Sequence, residues 1–158
     1  MRSVRLPPNL LEIPAPCFFT CFALPDISIP KFVRAIRQEA FYSCTLLRSI
    51  DLSNNNNLQE VGDSAFRNCT SLTSIRICSS SSNLRFGDSV FEDCSSVSII
   101  KVYPWLFFPN LFEATNDDPS FIYKFFHRQI SASNLLKKKP KFGWSDDSIV
   151  SYRLGNSN

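Results

Sequence analysis

One order of apolar and polar positions recurs along the first two thirds of the chain. From Phe66 to Ile77 the apolar side chains follow one another at spacings of three, three, three and two positions. The same order starts again at Phe41 and at Phe91, one equal period before and after Phe66, and a slightly shorter period extends it back to Phe18. The apolar positions of the four copies are Phe18, Cys21, Leu24, Ile27 and Ile29; Phe41, Cys44, Leu47, Ile50 and Leu52; Phe66, Cys69, Leu72, Ile75 and Ile77; and Phe91, Cys94, Val97, Ile100 and Val102. A fixed period of this length predicts a solenoid in which each copy forms one coil.

The last three consecutive residues of each copy are apolar, polar and apolar, which predicts a short strand with one side toward the core. The predicted strands are 27–29, 50–52, 75–77 and 100–102. Polar runs follow two of them, at Ser53–Asn57 and Ser79–Asn83. Short polar side chains hydrogen-bond their own backbone, so these runs predict turns, with a low-complexity linker as the alternative.

A Gly-Asp-Ser element opens the next part of the copy, at residues 62–64 and again at 87–89. The glycine permits a tight backbone, and Asp63 or Asp88 is placed to cap a short helix. Phe and Cys three positions apart would then share the inner face of that helix. The fold class predicted is an α/β solenoid of parallel strands and short helical turns, with a right-handed coil.

The chain begins inside the pattern. Val4–Leu6 falls on the strand position of a partial first repeat, and Met1 falls where Leu24 lies in the next copy. A strand with no coil stacked before it exposes unpaired backbone groups. We therefore expect either self-association through this open N-terminal edge, residues 1–17, or a longer repeat protein of which this is the C-terminal piece.

The period stops after Val102, which divides the chain into three predicted parts. Residues 1–102 form the solenoid, 103–136 an aromatic helical C-terminal cap, and 137–158 a polar tail that is loosely ordered from 145 onward. A helix is indicated because Asp118-Pro119 suits a helix start and apolar residues follow at helical spacing. An exposed docking helix is the alternative to a cap.

Composition narrows the function classes. The 158 residues are 44% hydrophobic with a net charge of +3, which favours a packed core and gives no argument for nucleic acid. No run of eighteen apolar residues predicts a membrane span, and the N-terminus lacks the apolar centre of a signal peptide. These features predict a cytoplasmic protein, or a cell-surface one if the N-terminus is incomplete.

The residues that could support chemistry are sparse. His127 is the single histidine, and the cysteines occur about one per coil rather than at zinc spacings. Four cysteines share one repeat position, which predicts buried free thiols; oxidation between stacked neighbours is the alternative. Asn68–Thr70 is a glycosylation sequon, and Lys137–Lys141 reads as a solvated linker or a phosphate-binding patch. No catalytic residue, cofactor or metal site is predicted.

The polar positions within the strands, together with those that run alongside just before them, form the candidate binding surface. In a parallel sheet they lie side by side on the face away from the core, the surface that solenoids use for binding. We call this set the strip: Asp26, Ser28, Arg48, Asp51, Thr73, Arg76, Ser98 and Lys101. The expected partner is another protein; the alternative is a face that is only solvated.

The motif Ala65-Phe66-x-x-Cys69-x-Ser71-Leu72-x-x-Ile75 resembles the BspA-type leucine-rich repeat. The resemblance covers residues 1–102 and is weakest around Phe18. It implies a leucine-rich-repeat array that presents a binding or adhesion surface and is not an enzyme. The function predicted is a non-catalytic protein–protein interaction module; a structural fragment of a larger repeat array and a cell-surface adhesin are the alternatives.

Overall fold

The computed structural model describes residues 4–77, 84–97, 99–102, 140–144 and 150–154, and it places the side chains of 4–77 and 84–97. Nine short strands follow one another in the described residues. They are β1 (Glu12–Ile13), β2 (Ala35–Ile36), β3 (Ser49–Leu52), β4 (Glu60–Val61), β5 (Ser74–Ile77), β6 (Arg85–Phe86), β7 (Ile99–Val102), β8 (Pro140–Trp144) and β9 (Val150–Leu154). The strands form two sheets, ordered β3-β5-β7-β9-β8 and β1-β2-β4-β6.

In the first sheet, residues one repeat period apart in the sequence lie opposite one another on neighbouring strands. β3, β5 and β7 pair in parallel, with Ser49 opposite Ser74 and Ser74 opposite Ile99. This confirms the strands predicted around 50–52, 75–77 and 100–102. The strand predicted at 27–29 is reduced to one parallel bridge between Val4 and Ile27. Prolines at 25 and 30 bracket that segment and supply no backbone N–H, so a ladder there could not extend past these two positions.

The second sheet was not predicted. β1, β2, β4 and β6 pair in parallel along the solenoid, two residues from each coil. Ile13, Ile36 and Val61 of this sheet are fully buried. The coil with β3 and β4 and the coil with β5 and β6 therefore have a strand on two of their sides, and the core lies between the two sheets and the turns.

The turns that close each coil are not helical, so the predicted short helices are wrong for the described residues. Two positions in the closing turns adopt positive φ. The first repeat position holds Glu39, Ser64 and Ser89, with φ of 54–55°, and the second holds Thr20, Ser43, Asn68 and Asp93, with φ of 55–61°. A left-handed residue every four positions stops an α-helix from forming. Every second backbone N–H in these turns instead donates to a carbonyl of the next coil. Phe41 N–H donates to Ala65 O at 2.8 Å, and Ser43 N–H donates to Arg67 O at 2.8 Å.

Asp63 links two coils and does not cap a helix. Its Oδ1 accepts the backbone N–H of Asp88 at 2.9 Å, in the following coil. The role predicted for Asp63 is therefore corrected: its carboxylate holds one coil against the next.

The phenylalanine position builds the centre of the core. Phe41, Phe66 and Phe91 are fully buried. The rings stack in sequence, with centroids 5.0 Å apart from Phe18 to Phe41, 5.1 Å to Phe66 and 5.5 Å to Phe91. The column continues from coil to coil because each copy places its ring at the same repeat position.

The cysteine position lies beside this column. The thiol of Cys44 donates to the carbonyl of Phe18 at 3.2 Å, that of Cys69 to Phe41 at 3.2 Å, and that of Cys94 to Phe66 at 3.1 Å. No disulfide joins the described cysteines, so the prediction of buried free thiols is confirmed for these three. A cysteine suits the position because it is a small hydrophobe with a weak donor.

Gly62 lies at a close approach between coils. A Cβ at Gly62 would lie 2.5 Å from the backbone N of Gln38 and 2.8 Å from the carbonyl carbon of Arg37. Both atoms belong to backbone, so neither moves without separating the coils.

Gly62→Ala is therefore expected to lower the free energy of unfolding by about 2–3 kcal/mol. Ser64→Ala, two positions along in the same turn, is the control and is expected to cost much less. Urea unfolding followed by circular dichroism measures both; equal costs would show that close packing at Gly62 is not limiting.

The C-terminal tail extends the first sheet. β9 pairs antiparallel with β7, and β8 pairs antiparallel with β9. The prediction of a loosely ordered chain after 145 is therefore wrong at Val150–Leu154. The edge of β7 offers free backbone donors and acceptors, and Val150, Tyr152 and Leu154 alternate with polar residues, as a half-buried strand does.

Several predictions fall on residues that the structure does not describe. The helical cap at 103–136, His127, the turn at Ser79–Asn83 and Ser98 of the strip lie outside the described residues. The division of the chain at 102 and 136 stays a prediction.

Candidate functional site

Of the strip residues with described side chains, Asp51 and Arg76 lie on the outer face of the first sheet, and the others lie beside its strands or in the preceding coil. Asp51 and Arg76 are exposed, whereas Ile50, Leu52, Ile75 and Ile77 on the same strands are buried. Asp26, Ser28, Arg48 and Thr73 are also exposed. Lys101 is placed by backbone register alone, directly opposite Arg76.

Two members of the strip form an ion pair across neighbouring strands. Asp51 lies opposite Arg76, and Arg76 Nη1 donates to Asp51 Oδ2 at 3.1 Å. Partial burial raises the pKa of Asp51, but hydrogen bonds from Ser53 and the charge of Arg76 outweigh it and leave that pKa below its ordinary value. Both side chains are about half exposed, so the pair contributes little stability and stays accessible to a partner.

Thr73 has a structural role. Its hydroxyl donates to the carbonyl of Arg48 at 3.0 Å, and its N–H donates to the same oxygen at 2.8 Å. The Arg48 side chain is exposed and makes no ion pair with any residue in the described ranges. Of Thr73 and Arg48, only Arg48 therefore presents a charged side chain that a partner could bind.

A second charged row, missed in the sequence, runs along the other sheet. Arg37 binds Glu12 with two donors, at 2.8 and 3.1 Å, and binds Glu60 in the opposite direction at 2.6 Å. The hydrogen bonds to Glu12 and the two carboxylate charges raise the pKa of Arg37. The repeat spacing gives only part of the signal: Glu12 and Glu60 share one repeat position, whereas Arg37 lies two residues beyond Ala35, which holds that position in the coil between them. These ion pairs bridge neighbouring coils but, being about half exposed, contribute little stability.

The turn face, which carries Phe19, Tyr42, Arg67 and Glu92 at one repeat position, is aromatic in the first two of these coils and charged in the next two. Phe19 stacks on Tyr42 with ring centroids 5.0 Å apart, and the same repeat position in the next two coils holds Arg67 and Glu92, paired at 3.0 Å. Asn68 of the sequon donates its side-chain amide to Ser43 Oγ at 2.8 Å. A glycan on that nitrogen would have to disturb this contact between coils.

One open cavity of about 800 Å³ lies beside the second sheet, lined by residues that include Gln38, Glu60, Asp63 and Arg85. Its two carboxylates are already bonded, Glu60 to Arg37 and Asp63 to a backbone N–H. Within the residues described with side chains, no three histidine, cysteine or acidic groups are placed to hold a metal ion. The cavity therefore offers a polar concavity without an assembled reactive group.

Comparison with known proteins accounts for this arrangement. The family model of the BspA type leucine rich repeat region matches residues 1–100 in six copies. The chain belongs to the BspA-type leucine-rich repeat family. The resemblance seen in the sequence is thereby confirmed, and so is the repeat solenoid.

Other comparisons add less to the family assignment. A solved leucine-rich repeat protein from Bacteroides ovatus is similar at 24% identity over 58% of this chain, with a TM-score of 0.36, and the match spans 28% of that protein. No curated protein matches the chain significantly. Across the part of the chain that the structure describes, no helix is long and apolar enough to cross a membrane.

Proposed function

We propose that this repeat module binds another protein through the strip and carries out no catalysis. The observation that carries the proposal is the register of the first sheet, which places Asp51, Arg76 and Lys101 of successive coils directly opposite one another in one row. Repeat solenoids present such faces to partners because each added coil extends the same surface.

The distribution of charges supports the choice of this face. On the second sheet Arg37, Glu12 and Glu60 bind one another, and on the turn face Arg67 binds Glu92 and Asp93. Those charges link coils. The ion pair of the strip, Asp51–Arg76, also bridges coils and is similarly exposed. The strip adds Arg48, which is exposed and makes no ion pair with a described residue, so its charge is open to a partner.

The test reverses two charges of the strip. In Arg76→Glu with Lys101→Glu, we expect a roughly two- to tenfold slower association with the partner, because exposed interface charges act mainly on the association rate. The melting temperature is expected to change little. The partner is first captured with the full chain and identified, and its binding is then measured by surface plasmon resonance with purified proteins.

A matched control carries the same change of charge away from the strip. Lys31→Glu with Arg34→Glu alters two exposed basic residues outside the first sheet. We expect it to leave association nearly unchanged. Equal binding by the wild type and the strip variant would move the binding site to the turns or to the cavity.

A further inference from the structure

We propose that the C-terminal half of the strand face binds an extended acidic segment of a partner protein. This inference rests on the proposed function and names the chemistry of the partner. Its basis is the antiparallel hairpin of β8 and β9, which continues the first sheet beyond the last predicted repeat.

Strand register places the hairpin residues on the two faces of the sheet. Residues directly opposite one another in neighbouring strands share a face. Lys101 pairs with Ser151, and Ser151 pairs with Gly143. These positions continue the row of Asp51 and Arg76, which is exposed in β3 and β5.

A second row runs parallel to the first one. Ser49 pairs with Ser74 and Ser74 with Ile99, and the row continues through Arg153 to Lys141. The rows together thus bring Lys141 and Arg153 of the tail onto the face that carries Arg76 and Lys101. We call these four residues the basic face.

The charges on these rows are unequal in sign. Across the five strands the outer-face positions hold the four residues of the basic face and one acidic residue, Asp51. Asp51 is already bonded to Arg76. The last three strands therefore carry three basic positions and no acidic one on this face, so they attract a negatively charged partner.

The remaining face positions favour a protein segment over nucleic acid. The register places Ser74, Ser151 and Gly143, which are small residues, and Ile99, an apolar one, at positions between the charges. No aromatic residue occupies an outer-face position of the five strands, so there is no platform for stacking bases. Five strands span roughly 19 Å, the length of about six extended residues.

The test uses the full chain and a fluorescein-labelled peptide of about eight residues that alternates glutamate and serine around a central leucine. The control peptide has glutamine in place of glutamate. We expect the acidic peptide to bind at least about tenfold more tightly, and its affinity to fall as sodium chloride rises from about 50 to 500 mM. Equal anisotropy changes for the two peptides would overturn the proposal.

Variants locate the site. Lys141→Glu with Arg153→Glu is expected to weaken binding of the acidic peptide about tenfold. Lys31→Glu with Arg34→Glu changes the net charge equally and is expected to alter it by less than about twofold. Thermal melts by circular dichroism confirm that both variants fold. Equal losses in the two variants would mean attraction by total charge, which contradicts a site on the basic face.

Two further results separate this inference from the proposed function. A single-stranded oligothymidylate that binds as tightly as the peptide would overturn the choice of a protein segment. A captured partner that loses affinity with Arg76→Glu and Lys101→Glu but not with Lys141→Glu and Arg153→Glu would overturn only the present inference. A partner unaffected by either pair would overturn the proposed function as well.

Discussion

Phe66→Ala is expected to lower the free energy of unfolding by about 3–5 kcal/mol. The ring is fully buried and lies between two others, 5.1 Å from Phe41 at an interplanar angle of 2° and 5.5 Å from Phe91 at 10°. Its removal leaves a cavity and loses both ring contacts. Because each coil of a solenoid is stabilised by its neighbours, one substitution weakens two interfaces at once.

Phe22→Ala is the matched control. It removes the same side chain from a position that is 57% exposed, and it is expected to cost less than about 1 kcal/mol. Urea unfolding monitored by circular dichroism gives both values. Similar costs at the two positions would contradict a continuous aromatic core through Phe66.

The core was predictable because one period governs it. The spacing that aligns Phe41, Phe66 and Phe91 in the sequence is also the register in which Ser49 meets Ser74 and Ser74 meets Ile99. Each coil repeats the same burial, so an apolar position observed three times identifies a buried column. The repeat period alone was enough to predict that these side chains contact one another.

The second sheet and the turns were not predictable from the same pattern. Its strands have two residues each, as at Glu60–Val61, and two residues are too few to show alternation. In the turns, Phe66 and Cys69 are three positions apart, which fits a helix. The left-handed conformations of Ser64 and Asn68 exclude one, and a serine or an asparagine does not announce positive φ as a glycine does.

The strip was predictable as a surface but not as a set of contacts. Alternation placed Asp51 and Arg76 away from the core, and the structure finds both exposed. Their ion pair follows from register plus opposite charge, a signal present in the sequence at the repeat spacing. The addition of Lys141 and Arg153 to the same face was not predictable, because antiparallel pairing of β9 with β7 obeys no repeat.

Alkaline pH is expected to unfold the protein through its buried thiols. Burial, followed by the neighbouring thiols Cys69 and Cys21, raises the pKa of Cys44 to about 12. The hydrogen bond with Cys94, together with burial, raises the pKa of Cys69 as well. In the unfolded chain a cysteine titrates near pH 8.5, so the folded state holds these protons over a range in which the unfolded state releases them.

The direction of the pH dependence follows from that difference. Below about pH 8.5 both states keep the proton and the stability is fully present; above it the free energy of unfolding falls by about 1.4 kcal/mol per pH unit for each such thiol. For Cys44 the loss continues until the pH passes through the folded value near 12. Urea unfolding in a reducing buffer, at several pH values between about 8 and 11, measures the slope.

Cys44→Ser separates this effect from the titration of lysine and tyrosine, which both proteins share. Serine does not ionise in this range, and its hydroxyl can donate to the Phe18 carbonyl that accepts the thiol at 3.2 Å. The variant is expected to lose stability with pH less steeply than the wild type, by about 1.4 kcal/mol per pH unit, the effect of one proton. Parallel pH profiles would show that Cys44 ionises as readily in the folded chain as in the unfolded one and would contradict the raised pKa of this buried thiol.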